Sequence, residues 1–221
     1  MKKNILVVAI FLAIISFVVS CQPKPSEKKD TTTNEPTTIV MASKDYSIDV
    51  EASTINWKGA TLLGKEHTGT IKIKEGKLGT NEVAVVKGKF TIDMGSIENT
   101  DITDKAKNAK LVVHLKDADF FDTEKFQTAS LDILSITALV TPTESSNNTV
   151  KANLTIKGIT KEISFPAMIK VSDIGVLANA TPEINRKDWG IMYGTEGSIA
   201  GLTKDKIIKN EIEFSVNLIA K

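Results

Sequence analysis

From Tyr46 onward, apolar side chains recur at every second position, the period of β-strands that bury one face. The pattern is cleanest at the C-terminus, where Ile212, Phe214, Val216, Leu218 and Ala220 alternate with Glu213, Ser215, Asn217 and Ile219. Ile163, Phe165, Ala167, Ile169 and Val171 form a second set, and Ala152, Leu154 and Ile156 a third. A long strand is predicted with Ala84, Val86, Gly88, Phe90, Ile92 and Met94 on one face and Lys87, Lys89, Thr91 and Asp93 on the other. Runs near 46–50, 54–61, 68–74, 129–139 and 176–186 bring the total to about eight or nine strands. Glu75-Gly76-Lys77 reads as a hairpin turn, Thr143–Asn148 as a polar loop, and Lys157-Gly158-Ile159-Thr160 as a tight connection. Only residues 104–116 read as helix, with Ala106, Ala109 and Val113 at spacings of three and four. Successive short strands without long helices between them predict an all-β sandwich or closed barrel.

The N-terminus carries a different signal. Lys2 and Lys3 precede the apolar run Ile5–Val19, which is shorter than the roughly 20 residues of a membrane span and has the form of a signal-peptide core. It closes on Val18-Val19-Ser20-Cys21, which resembles the lipobox of bacterial lipoproteins, and Cys21 is the single cysteine of the chain. The expectation is cleavage after residue 20 and acylation of Cys21, with chains such as palmitate contributing about 0.8 kcal/mol per buried CH₂ to a membrane anchor in the cell envelope. An ordinary secretory signal or an uncleaved anchor is the alternative. Residues 22–42 hold three of the six prolines among Lys, Glu, Ser and Thr, a composition expected of a flexible spacer. The domain reading is therefore a signal peptide over 1–20, a lipidated cysteine and tether over 21–43, and a folded domain over 44–221.

Composition narrows the chemistry. The chain has 221 residues and a formal net charge of +1, which argues against a nucleic-acid partner held by phosphate neutralisation. A lone cysteine excludes an internal disulfide framework. His67 and His114, the only two histidines, leave little material for a metal centre or an acid–base pair. No cofactor, no metal and no catalytic residue is expected. His114 is expected on the helix in a surface or capping role, and Lys72, Lys74, Lys87 and Lys89 on a solvated outer wall.

Three segments carry a resemblance. Leu115-Lys116-Asp117-Ala118-Asp119-Phe120-Phe121-Asp122, Leu154-Thr155-Ile156-Lys157-Gly158-Ile159-Thr160-Lys161 and Asn185-Arg186-Lys187-Asp188-Trp189-Gly190 occur in order. Together with Trp57-Lys58-Gly59 and His67-Thr68-Gly69, they make the chain from about 45 to 220 similar to the YceI-like family of polyisoprenoid-binding periplasmic barrels. The resemblance implies an eight-stranded antiparallel, lipocalin-like barrel with one short helix, closed around an apolar cavity. It also implies an isoprenoid-type ligand, such as a quinone or polyprenyl tail, and some members pair as homodimers. Two departures stand out: Trp189 replaces a frequent phenylalanine, and Phe126-Gln127-Thr128-Ala129 lacks a frequent proline.

On this basis the expected cavity lining comprises Trp57, Phe90, Phe120, Leu154, Ile156, Phe165, Arg186, Trp189 and Phe214. The inward apolar side chains either line a cavity or fill a core. The two tryptophans are useful at a cavity mouth or act as plugs. Arg186 and Asp188, one residue apart on a predicted strand face, either receive a head group or form an ion pair. Small inward residues, Ala84, Gly88, Ala152 and Ala167, favour a cavity. The alternative is a filled barrel with a structural or protein-interaction role.

Overall fold

The computed structural model describes residues 43–81 and 83–221. The signal segment, Cys21 and the tether up to residue 42 lie outside the described residues. Ten strands follow the chain: β1 (Lys44–Ser47), β2 (Thr54–Thr61), β3 (Glu66–Thr80), β4 (Val85–Asn99), β5 (Thr128–Ala138), β6 (Asn148–Ile156), β7 (Ile159–Ser172), β8 (Gly175–Ala180), β9 (Glu183–Asn185) and β10 (Ile208–Ala220). One helix, α1 (Lys105–Lys116), lies between β4 and β5. Pairing runs β3-β2-β10-β8-β7-β6-β5-β4 and returns from β4 to β3, so the sheet closes as an antiparallel barrel of eight staves and leaves those staves no free edge.

Ten segments fit eight staves because two staves are broken. β1 pairs with the far half of β3 (Tyr46↔Leu78) while β2 pairs with its near half (Ile55↔Ile71). The five residues Asp49–Ser53 interrupt that stave; the Asp49 carboxylate accepts from the Ala52 amide, and Ser53 Oγ bonds the Ile219 backbone. Likewise β8 and β9 both pair with β10 (Leu218↔Ala178, Ile212↔Ile184). Pro182 lies between them; it has no N–H to donate to a ladder, but its carbonyl accepts from Phe214. The predicted strand over 176–186 is thus split, and its end is not strand: Arg186–Trp189 is a 3₁₀ turn.

Local sequence accounts for most connections. Lys157 and Gly158 both have positive φ, 50° and 73°, and join the paired residues Ile156 and Ile159. That backbone matches the right-handed twist of the flanking strands. Asn81 makes the β3–β4 turn by accepting the Val83 and Ala84 amides on Oδ1, a local side-chain-to-backbone turn. The Glu75–Lys77 hairpin is corrected: those residues stay inside β3, opposite Thr91, Phe90 and Lys89 on β4. The break in alternation that suggested a turn is a register shift between Ile73 and Glu75, a bulge in a 15-residue strand.

Register shifts also correct the face of β4. Phe90, Ile92 and Met94 point inward as expected. A further shift at Gly79/Thr80 instead buries Val85 and leaves Ala84 and Val86 exposed, since one extra residue exchanges the two faces. The helix is where it was expected, capped by the Asp104 carboxylate on the Ala106 and Lys107 amides. Its inward stripe, however, is Leu111 and Leu115, while Ala106, Ala109 and Val113 face solvent.

The two ends of the barrel differ. The β3–β4 turn, the 139–147 loop, the β7–β8 turn and both β1 and Lys221 meet at one end, where Tyr46, Leu78, Val85, Val176 and Ala220 are buried. The β2–β3 turn, α1, the β6–β7 turn and the 190–207 segment surround the other. β4 pairs with β5 only from Lys89 to Asp93; beyond that point it runs on to Asn99 beside β3 alone, and α1 packs against it.

Candidate functional site

The inward faces enclose a cavity of about 610 Å³, within the range of about 300–1,000 Å³ typical of small-molecule sites. Leu78 and Val85 reach its inner end, and Ile133, Ile169, Val216 and Leu218 line its body. Polar groups gather at the rim: Lys65 and His67 near the β2–β3 turn, and Tyr193, Asp205, Lys206 and Lys209 in and after the 190–207 segment. The site is therefore a long apolar bore with a polar mouth. Phe165, Ile212 and Phe214 point inward by strand parity yet are only half-buried, because they face this space rather than other side chains. A filled barrel would have buried them.

Of the expected lining residues, Trp57, Phe90, Phe120, Leu154, Ile156, Phe165, Arg186 and Phe214 all lie on the cavity wall. Trp189 does not. It is 1% exposed and packed in the core with Leu154 and Ile156, and its indole N–H donates to the Leu154 carbonyl at 3.2 Å, so it braces β6 within the packed core. The space comes from Ala129, Ala167, Ala178 and Ala180. Of the small residues expected to supply it, only Ala167 is on the wall. Ala84 is exposed, Ala152 is buried off the wall, and the space beside Gly88 is taken by Ile133 and Leu78.

Trp57 lies across Gly69 on the adjacent strand. A Cβ at Gly69 would meet both the indole ring and the Glu98 carbonyl, so only glycine lets the ring lie flat on the sheet. The indole N–H reaches the Thr70 carbonyl at 3.3 Å.

Arg186 is 1% exposed and corrects the paired reading with Asp188. The two share a 3₁₀ turn rather than a strand face, and Asp188 is exposed. The guanidinium instead donates to the carbonyls of Lys209 (2.9 Å), Ile191 (2.8 Å), Tyr193 (2.8 Å) and Ile208 (3.1 Å). Burial lowers its pKa from the ordinary value, opposed by the Glu211 charge. Arg186 thus ties the 190–207 segment to β10 and has little left to offer a head group.

His114 is no free surface residue. Its ring packs edge-on against Phe120 and Tyr193, at centroid distances of 4.9 and 4.5 Å. This aromatic group joins α1 to the 190–207 segment beside the mouth. On the other side, Asp101 accepts from the Thr68 amide at 2.9 Å and contacts His67 Nδ1 at 2.8 Å. Burial alone would raise the Asp101 pKa; the bonds from Thr68, His67 and Asn99 outweigh it and hold the carboxyl below its ordinary value. Asn108 of α1 donates to the Asn99 and Ile102 carbonyls, which anchors the start of the helix. Among the described residues, no three His, Cys, Asp or Glu side chains converge as metal ligands would.

Sequence reasoning missed Leu111, Leu115 and Tyr193. The first two stand at the i, i+4 spacing of one helix face, a signal present in the sequence. Tyr193 sits in an irregular segment where no periodicity operates.

Comparisons with known proteins agree with this architecture. The YceI-like domain pattern matches residues 46–220. UPF0312 protein SA2479 of Staphylococcus aureus is 32% identical over 148 residues, covering 62% of this chain and 76% of that protein. The structure of Burkholderia cenocepacia BcnA superposes with a TM-score of 0.55 at 18% identity, over 79% of this chain and 99% of that one. A polyisoprenoid binding domain from Saccharophagus degradans, implicated in plant cell wall breakdown, superposes with a TM-score of 0.56 at 18% identity, over 80% and 97%.

Proposed function

The chain belongs to the YceI-like domain family, and from that premise we propose that it is a binding protein, not an enzyme, which houses the apolar tail of an isoprenoid-type lipid. The observation that carries this reading is the continuous 610 Å³ apolar cavity with polar groups only at its mouth. An extended hydrocarbon chain fits such a bore, and its transfer from water is favoured by about 25 cal/mol per Å² buried. A head group remains at the rim, near Lys65, Lys206 and Lys209. The Saccharophagus degradans domain, described as polyisoprenoid binding, supports the same ligand class by fold. Around the tail, Trp57, Phe90, Leu154, Ile156, Phe165 and Phe214 supply the wall, and Phe120 the mouth; Arg186 holds the mouth in shape.

The proposal extends to location. Cys21 takes a diacylglycerol, the membrane is reached through that anchor, and the barrel works in the bacterial cell envelope. The lipobox-like Val18-Val19-Ser20-Cys21 supports this. Mass spectrometry of the purified chain tests both halves. A mature N-terminal peptide starting at acylated Cys21, absent after Cys21→Ser, is expected. Extracted lipid should show repeated five-carbon spacing. A ligand-free protein that also fails to take up added quinone or polyprenyl phosphate would refute the carrier reading.

A further inference from the structure

The tip of the β2–β3 hairpin presents two adjacent leucines to solvent: Leu62 is 50% and Leu63 70% exposed. Hairpin tips ordinarily carry polar residues, so a leucine pair there needs an occupant. Its surroundings indicate which kind. On one side, Leu62 donates its amide to the Ile207 carbonyl, which places the hairpin beside the segment carrying Lys204, Lys206 and Lys209. On the other, His67 and Thr68 bind Asp101, which places it beside the start of α1 with Lys105, Lys107 and Lys110. With Lys65 at the hairpin, these seven lysines are exposed and none forms an ion pair among the described residues.

Several carboxylates on this side are engaged: Asp101 is held by His67, Asp104 caps α1, and Glu66 and Glu213 share Lys58; Glu196, Asp205 and Glu211 remain. The loop after α1 is mixed in charge, with Asp117, Asp119, Asp122 and Glu124 beside Lys116 and Lys125, and Lys157 bonded to its Ala118 carbonyl. Net charge near zero thus conceals a concentration of exposed lysines around the leucine-tipped hairpin.

We propose that this lip, Leu62 and Leu63 flanked by Lys65, Lys105, Lys107, Lys110, Lys204 and Lys206, docks on an anionic lipid bilayer and brings the cavity mouth to the membrane. Two leucines enter the interfacial layer while the lysines meet lipid head groups, the combination by which surface-active segments bind membranes. The lip adjoins the opening of the apolar cavity, so a tail leaving the bilayer enters the bore without crossing water. Covalent length permits it. The barrel begins at its closed end, and residues 22–42 span up to about 70 Å, more than the roughly 50 Å of fifteen-residue β3. Docking does not depend on which ligand the cavity holds.

The test uses the full chain with Cys21→Ser, bound to vesicles, and one new cysteine at a time: Leu63→Cys at the lip or Ile174→Cys at the closed end, where Ile174 is also exposed. Each is labelled with an environment-sensitive fluorophore, and quenching by spin-labelled lipid is read in phosphatidylglycerol-containing and in pure phosphatidylcholine vesicles. The expected result is quenching at position 63 but not at 174, strong only with the anionic lipid. It should be lost in 1 M salt, where the screening length falls to about 3 Å, or when Lys105, Lys107 and Lys110 become glutamate. Equal quenching at both positions, none at 63, or quenching indifferent to lipid charge and salt would overturn the proposal. Because no isoprenoid is present in the assay, a failed ligand search and a failed docking test remain distinguishable.

Discussion

The closed end and the mouth of this barrel are built from the same alternating strands, yet one is a packed core and the other an open site. At the closed end, Val176 is 1% exposed and Tyr46 5%, and backbone bonds between Ser47 and Lys221 tie the broken first stave to the end of β10. At the mouth, inward residues of identical parity face a cavity, α1 contributes no fully buried residue, and the irregular 190–207 segment is held by Arg186, the Tyr193–His114 contact and backbone bonds with Leu62 and Ile208. Alternation decides which side chains point inward; it does not decide whether they meet one another. Alanines at 129, 167, 178 and 180 determine that, by removing the volume that opposing side chains would otherwise share.

The sharpest way to break this division is Arg186→Leu. It leaves four carbonyls without their donor, at about 1–3 kcal/mol for each that stays buried, so a loss of about 4 kcal/mol in denaturant unfolding is expected, accompanied by proteolytic cutting between residues 190 and 207 before the strands. Gly69→Ala forces a methyl against the Trp57 ring and the Glu98 carbonyl. The expected cost is about 1–3 kcal/mol, with a change in tryptophan fluorescence. Next is a matched pair. Val176→Ala at the closed end should cost about 2 kcal/mol by leaving a cavity in packed core. Phe214→Ala, despite removing more atoms, should cost no more, because its ring already faces open space; equal stability losses scaled to volume would erase the contrast between the ends.

Filling the site should separate stability from binding. Ala178→Leu is expected to shift unfolding by less than about 0.5 kcal/mol but to weaken uptake of a fluorescent polyprenyl probe tenfold or more, read by titration. The smallest effect concerns Asp101. Its folded pKa lies below the ordinary 3.8, so its contribution is present above that value and is lost as pH falls through the folded pKa. Unfolding midpoints measured from pH 5 down to pH 2 should therefore fall less steeply for Asp101→Asn than for the native chain.

The alternating patterns of β6, β7 and β10, the Lys157-Gly158 turn and the helix over 105–116 were determined by local sequence. Each rests on a period or a backbone preference that neighbouring residues impose on one another. Phe90, Leu154, Ile156, Phe165 and Phe214 could be placed on the inner wall for the same reason, whereas Trp57 was marked only by its large ring. What only the tertiary structure decided required knowing what lies across a gap. An extra residue in β4, Val86, turns Val85 inward and itself outward, through pairing with a strand whose register no local pattern specifies. Trp189 is a prop and not a wall because the turn at Arg186 packs it into the core against β6. Arg186 faces four carbonyls rather than Asp188 because backbone groups from two distant segments converge on it. Whether the inward faces touched or enclosed a space depended on the barrel's closure, a property of eight staves together that none of them encodes alone.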